Sequence, residues 1–489
     1  MFAGNSFALF ALLLFPVIGL ALFYRTNTAT ATSVVLLAGA MFLPVGAGFD
    51  LPAGLILDKE SVPRLVALLG CMLVARRRLA AARPGRGLDA LALLYIAASL
   101  ATVLTNTDPI VAGAIFVPGL GMADFVAAAT STLINWWVPF FLGRALITNG
   151  RDLTRVLRAF AVAGLVYFVL ILVEVRFSPQ LHRWFYGVHP GPEAGFAMTV
   201  RWGGYRPMLF MWSGLSVALF SFACVSIAAT LTKVRLRVLR LPGAAVTAAL
   251  AAGLVLCKSL AAIIYGAICL PLSIFASVRA QSTAALVVAV LVFTYPAARA
   301  AGVVPESLLL ELASAVSEDR EGSLAMRLRE EGAVLARAQE RLAFGWGGWA
   351  RSWVWDPETG TAGSTLDGLW ILIFGSAGAV GYCAVFGLLT WPVILAWRPI
   401  RRIRSARDCR LLAGVSLCVA FIAADQIPNA TISGYSIFLA GALAGATQGC
   451  LADDRRATRR ARLAAVRSSP EAEPVDAESG APIGRVPAF

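Results

Sequence analysis

Apolar runs of roughly 17 to 25 residues recur from one end of this chain to the other, each the length a helix needs to cross about 30 Å of bilayer hydrocarbon. In lipid every backbone N–H and C=O must be satisfied inside the protein, so such runs fold as helices and not as open sheet. The expected spans, most of them of that length, fall at 7–24, 31–49, 62–75, 88–104, 122–143, 159–176, 208–231, 242–257, 259–278, 283–299, 367–397, 411–424 and 434–450. The fold class they predict is all-α: a polytopic helical membrane protein of about 12–13 transmembrane helices with one large extracytoplasmic loop. The lower count applies if 62–75, which is short and carries Arg64, does not cross. With 58% hydrophobic residues, 14% charged residues and a mean hydropathy of +0.75, a string of ordinary soluble domains is excluded. The short alternating segments of a β-barrel are absent from the sequence. Gly and Ala crowd several spans, as in GAAVTAALAAG, and small residues allow the close backbone approach that a packed bundle uses.

A net charge of +14 invites a nucleic-acid reading, and the position of the charges removes it. The loops 76–86, 144–158, 233–240 and 398–410 hold nineteen Lys and Arg against two acids, Asp152 and Asp408. That surplus marks the cytoplasmic side and favours contact with anionic lipid headgroups. With thirteen spans the N-terminus then lies outside and the C-terminus inside. Residues 1–451 form the bundle, with outer loops at 177–207 and 300–366, and residues 323–343 of the second loop show the spacing of an amphipathic helix. Residues 452–489, basic and then rich in Pro, Ser and acids, are expected as a disordered cytoplasmic tail. The first apolar run lacks a basic flank and a cleavage site, so it is expected to stay as a helix. Eight cysteines sit in spans or beside the basic loops, and His182 and His189 have no companions at metal-ligand spacing. Neither disulfides nor a metal is expected, and no cofactor is implied.

The outer side carries the residues suited to chemistry. Arg201 and Arg206 stand in RWGGYRP, where Gly203, Gly204 and Pro207 predict a tight turn at headgroup level. Arg327 and Arg341, fourteen residues apart, fall near one flank of the loop helix. Guanidinium groups there suit a pyrophosphate, because the planar fork binds phosphate oxygens bidentately and keeps its charge. An i,i+4 pair with Glu331 is the competing role for Arg327. The run Gly345-Trp346-Gly347-Gly348-Trp349 is either an interfacial turn or a platform on which Trp346 and Trp349 stack against a sugar. Asp367, at the mouth of an outer-side helix, is a helix cap, a catalytic carboxylate, or both. Glu174 and Lys258 are scarce ionisable residues within or between spans; Lys258 either snorkels to the interface or adds to an anion-binding surface.

Two patterns tie these residues together. Arg327 lies eighteen residues ahead of the Gly345-Trp346-Gly347 turn, and Asp367-Gly368 is followed after nine residues by Gly378-Ala379-Val380-Gly381. In these patterns, and in Arg201 with Gly204 before a span, the chain resembles the O-antigen ligase and O-antigen polymerase (Wzy-like) superfamily of lipid-linked glycan transferases. The ligase pattern has a histidine where Asp367 stands, and the serine-arginine pair often found between two middle spans is only Lys258-Ser259 here. An Asp-Gly opening looks more like the polymerase side. The resemblance implies a metal-independent glycosyltransferase in the bacterial inner membrane, with its active site facing the periplasm. It would join polysaccharide repeat units from a polyprenyl-diphosphate-linked oligosaccharide onto an acceptor glycan, with membrane lipid and other polysaccharide-assembly proteins as further partners and no nucleic acid. The implied catalytic residues are Asp367, Arg327 and Arg201; Arg206, Gly204, Lys258, Arg341, Trp346 and Trp349 would bind diphosphate or glycan. The rivals are a ligase that hands glycan to a lipid or protein, a flippase or transporter, and an inactive scaffold.

Overall fold

The computed structural model describes residues 4–468 except 114, 192–195, 197–198, 316, 349, 357–359 and 361–366. It is an all-α polytopic membrane protein: eight helices are long and apolar enough to cross a bilayer, and four shorter apolar helices, Thr28–Phe42, Ser61–Val74, Gly243–Leu256 and Leu260–Phe275, pack among them. The helix Ala406–Asp425, with Arg407, Asp408 and Arg410 in its first turns, completes the set. Each of the thirteen expected spans falls on one of these helices.

The boundaries move where local chemistry requires it. The span expected at 31–49 ends at Phe42, because Leu43 is held extended ahead of Pro44. The chain beyond it forms an unforeseen hairpin, Gly48–Leu51 against Leu55–Asp58. A second hairpin, Ile110–Ala112 against Ile115–Val117, precedes the span that begins at Met122. Inside that span a π turn, Leu133–Trp137, sits just ahead of Pro139, whose ring nitrogen has no hydrogen to give to the helix ladder. The tail is a correction: the helix that begins at Gly434 continues to Ser468, so residues 452–468 are helical. Their Ala- and Arg-rich composition is among the most helix-favouring available. Residues 469–489 lie outside the described residues.

Contacts sort the connections onto two faces. Arg78, Arg151, Arg155 and Arg407 line one groove with Cys450 and Asp453, so three basic loops and the end of the last span share a face. Lys233 of the fourth donates to the Ile274 carbonyl. Asn5 Nδ2 donates to the Phe185 carbonyl at 3.0 Å, which puts the start of the chain on the opposite face, beside the loop after Phe177. Small residues hold the centre together: a Cβ at Gly441 would fall 2.1 Å from the Phe140 carbonyl oxygen, and one at Gly445 2.3 Å from that of Arg144. The helices Gly434–Ser468 and Val138–Leu146 therefore meet backbone to backbone, as the FLAGALAGATQG run predicts.

Candidate active site

The helix Leu369–Ile400 is not continuous. Gly378 takes φ 66° and ψ −168°, outside helical geometry, and the gap is filled by the turn that follows the loop helix Glu318–Glu340. Ala379 and Val380 donate their N–H groups to the carbonyls of Leu342 and Ala343 at 2.8 and 3.2 Å, and Trp346 and Gly347 donate to those of Gly375 and Ser376, both at 2.9 Å. A Cβ on Gly378 would lie 2.4 Å from the Ala343 carbonyl, and one on Gly345, itself at φ 68°, 2.6 Å from the Gly378 nitrogen. The two glycine motifs are thus the two halves of one splice, and each needs the other. The splice seats the loop helix on the N-terminal half of the broken helix, against Trp370 and Gly375. Leu328, Leu335 and Ala338 of the expected apolar stripe are buried, Val334 with them, while Leu342 is exposed.

That seating brings Arg327 to Asp367. Arg327 Nη2 lies 3.0 Å from Asp367 Oδ2, with the side chains 44% and 53% exposed, so the pair opens to solvent. Two alternatives are thereby corrected. Asp367 is not the helix cap: Gly368 occupies that position, and the N–H groups of Leu369 and Trp370 are met by the carbonyls of Asn429 and Gln426 at 3.1 and 3.3 Å. A Cβ on Gly368 would stand 2.2 Å from the Ile427 carbonyl oxygen, which is why glycine follows the acid. Nor is Glu331 the partner of Arg327. Glu331 takes Arg299 Nε and the Tyr295 hydroxyl, both at 3.0 Å, and Trp370 Nε1 at 3.1 Å. Arg299 and Tyr295 went unread in the sequence because nothing in a span's final turn signals a partner thirty residues on.

A second cationic group forms on the same face. Val200–Arg201 and Gly204–Tyr205 pair as a two-residue ladder, and Lys258 Nζ donates to the Arg201 carbonyl at 2.9 Å. Arg206 Nη2 donates to the Lys258 carbonyl at 3.2 Å. A Cβ on Gly204 would come within 2.5 Å of Lys258 Nζ, so the glycine makes room for the amine. Lys258 itself has φ 50° at the break between Gly243–Leu256 and Leu260–Phe275. Next to this strap, residues 200–206, the buried Glu174 carboxylate accepts the N–H groups of Leu181, Met208 and Leu209 at 2.8 to 3.0 Å. It is a scaffold anchor, satisfied three times over. His182 pins the same loop, accepting the Val45 N–H at Nε2 (3.0 Å) and lying 2.7 Å from the Val188 carbonyl through Nδ1. Burial lowers its pKa to about 4, so it is neutral at physiological pH.

The strap and the Asp367 corner flank one connection, 426–433. Gln426 and Asn429 meet the start of the broken helix, while Thr431, Ile432 and Ser433 share a cavity of about 80 Å³ with Met211 and Trp212.

Arg341 and Trp346 stand elsewhere. Fourteen residues of helix put Arg341 about 20 Å along the axis from Arg327. Its Nη1 donates to the Thr105 carbonyl and, at 2.7 Å, to Asn106 Oδ1; its Nη2 lies 3.2 Å from Asp108 Oδ2. The guanidiniums of Arg337 and Arg341 lie over the Trp346 ring at 4.1 and 4.2 Å, and Trp346 Nε1 donates to the Arg337 carbonyl at 2.8 Å. These groups brace the large loop against the 105–121 segment, apart from the Arg327–Asp367 pair. Arg351, unread in the sequence, completes the brace. It is fully buried and donates to the carbonyls of Trp346, Pro118 and Asp108 at 3.0, 2.6 and 2.9 Å. Trp349 lies outside the described residues. Among the described residues no three His, Cys, Asp or Glu side chains converge as a metal site. No protein-family model matches the chain, and no curated protein matches it.

Proposed function

We propose that the protein is a metal-independent glycosyltransferase of the O-antigen polymerase kind, which adds polysaccharide repeat units carried on a polyprenyl diphosphate to an acceptor glycan. The observation that carries this reading is the Arg327–Asp367 pair at 3.0 Å, half exposed on the face away from the basic loops. In the resting protein each charge satisfies the other. An arriving diphosphate competes for Arg327, since a dianionic phosphate outbids a single carboxylate for the guanidinium fork. Asp367 is then released toward the acceptor.

In the transfer, a lone pair of the acceptor hydroxyl forms the new bond to the anomeric carbon as the bond from that carbon to the diphosphate oxygen breaks. The electron pair leaves with the diphosphate, whose growing charge Arg327 meets, with Arg201, Arg206 and Lys258 as the second cationic group. The hydroxyl proton passes to the Asp367 carboxylate. Fixed positive charge of this kind acts where charge develops in the transition state, and one such contact is worth about 2.7–4 kcal/mol. The site then faces the periplasm of a bacterial inner membrane.

The test is made in cells that depend on the protein for a surface polysaccharide. Arg327→Ala and Asp367→Asn, each verified as inserted at the wild-type level, are expected to leave single repeat units on the acceptor lipid. Unchanged polymer length and yield in either variant refutes the proposal, and long chains accumulating on the carrier would point to a ligase instead.

A further inference from the structure

The last helix does not stop where the bundle ends. It runs on to Ser468, and its Asp454 carboxylate accepts the Arg404 N–H at 2.7 Å, fixing it to the turn after Ile400. Between these two elements lies a groove of about 550 Å³. Pro399 and Leu451 line it together with Arg402, Arg404, Arg455 and Arg459, beside Asp454 and Thr458. Among the described residues none of these four guanidiniums has a hydrogen-bond or ion-pair partner.

A neighbouring groove on the same face shows the contrast. It is similar in size, about 620 Å³, and also carries four arginines, but Asp152, Asp408, Asp453 and Asp454 line it as well. There Arg155 pairs with Asp152 at 2.6 Å and Arg78 approaches the same carboxylate at 3.9 Å. Its charge is largely met from within. In the first groove Asp454 is the one acid among the lining residues, so positive charge is left over.

We propose that the groove between residues 399–404 and 451–459 binds the headgroup of an anionic membrane phospholipid. The phosphate sits among the four arginines, whose forks match its oxygens, and the glycerol end rests on Pro399 and Leu451. A soluble anion needs no apolar wall, and the groove opens where two spans leave the hydrocarbon, which is headgroup depth. Such basic pockets between transmembrane helices are suited to phosphate-bearing lipids. The site is separate from the proposed transfer chemistry, which lies on the opposite face.

The experiment uses full-length purified protein in a neutral detergent, titrated with short-chain phosphatidylglycerol, short-chain phosphatidylcholine or inorganic phosphate while its thermal midpoint is followed. Phosphatidylglycerol is expected to raise the midpoint saturably and the other two to do so weakly or not at all. Arg402→Gln with Arg455→Gln should weaken the phosphatidylglycerol effect by roughly tenfold or more, each charge near the surface contributing about 1 kcal/mol. The charge-matched control Arg237→Gln with Arg240→Gln, at exposed positions in another basic loop, should leave it unchanged. All three samples should melt alike without lipid. An equal loss in the control, meaning diffuse charge, overturns the proposal. So does inorganic phosphate acting as strongly as the lipid through the same arginines, which would mark a soluble-anion site.

Discussion

Arg327 and Arg351 belong to the same outer loop and, as letters in a sequence, are the same residue. Arg327 is 44% exposed and meets one carboxylate; Arg351 is fully buried and donates to three backbone carbonyls on two segments of the chain. The first is placed so that its partner can be exchanged, the second so that it cannot. A loop arginine therefore becomes a site or a strut according to what surrounds it, and the two should respond oppositely to substitution.

The largest effect is expected at the strut. Arg351→Ala removes three charge-assisted hydrogen bonds from a fully buried side chain and leaves the buried Trp346 carbonyl unpaired, which should cost about 3–5 kcal/mol, read as a fall of the thermal midpoint in detergent. Arg327→Ala should leave that midpoint nearly unchanged, since an exposed pair contributes about 0–1 kcal/mol, while lowering glycan transfer by roughly 100- to 1,000-fold. If the two variants melt alike, the division into strut and site fails. Next comes the splice that connects them. Gly378→Ala forces a side chain into a positive-φ position 2.4 Å from the Ala343 carbonyl, for a loss of about 1–2 kcal/mol from handedness alone. It should also lower transfer, because the splice seats the helix that carries Arg327.

The smallest effect sharpens the comparison through pH. His182 is neutral in the folded protein down to about pH 4, against an ordinary value of 6.5. Its contribution is therefore complete above pH 6.5 and is lost as pH falls toward 4, because the unfolded chain takes up the proton first. By pH 5.5 the midpoint should reflect a loss of about 1 kcal/mol, and His182→Gln should flatten that slope. A slope unchanged in the variant would assign the acid sensitivity to other groups.

Much of this was legible in the order of residues. The spans announced themselves because hydrocarbon thickness demands long uncharged apolar runs, which few other folds need. Asp367 stood out as an acid at the mouth of an apolar segment, and Arg327 by its place eighteen residues ahead of the Gly345-Trp346-Gly347 turn. The glycine motifs could be seen but not understood: nothing in Gly345 or Gly378 says that the backbone of one fills the break in the other. What stayed hidden were partnerships between distant segments. Glu331 lies four residues from Arg327, yet it is claimed by Arg299, Tyr295 and Trp370. Arg351 finds two of its three acceptors more than two hundred residues earlier. The helical tail was missed because charge was read as disorder where Ala and Arg together favour helix.

The most direct measurement is turnover and binding by the purified protein with a synthetic polyprenyl-diphosphate-linked repeat unit, in the presence of a chelator. The account predicts polymer formation by the wild type, its loss in Arg327→Ala together with weaker diphosphate binding, and its loss in Asp367→Asn with tighter binding, since the competing carboxylate has gone. Turnover that vanishes in chelator, or an Asp367→Asn protein that still polymerises and binds the diphosphate no better than wild type, would contradict it.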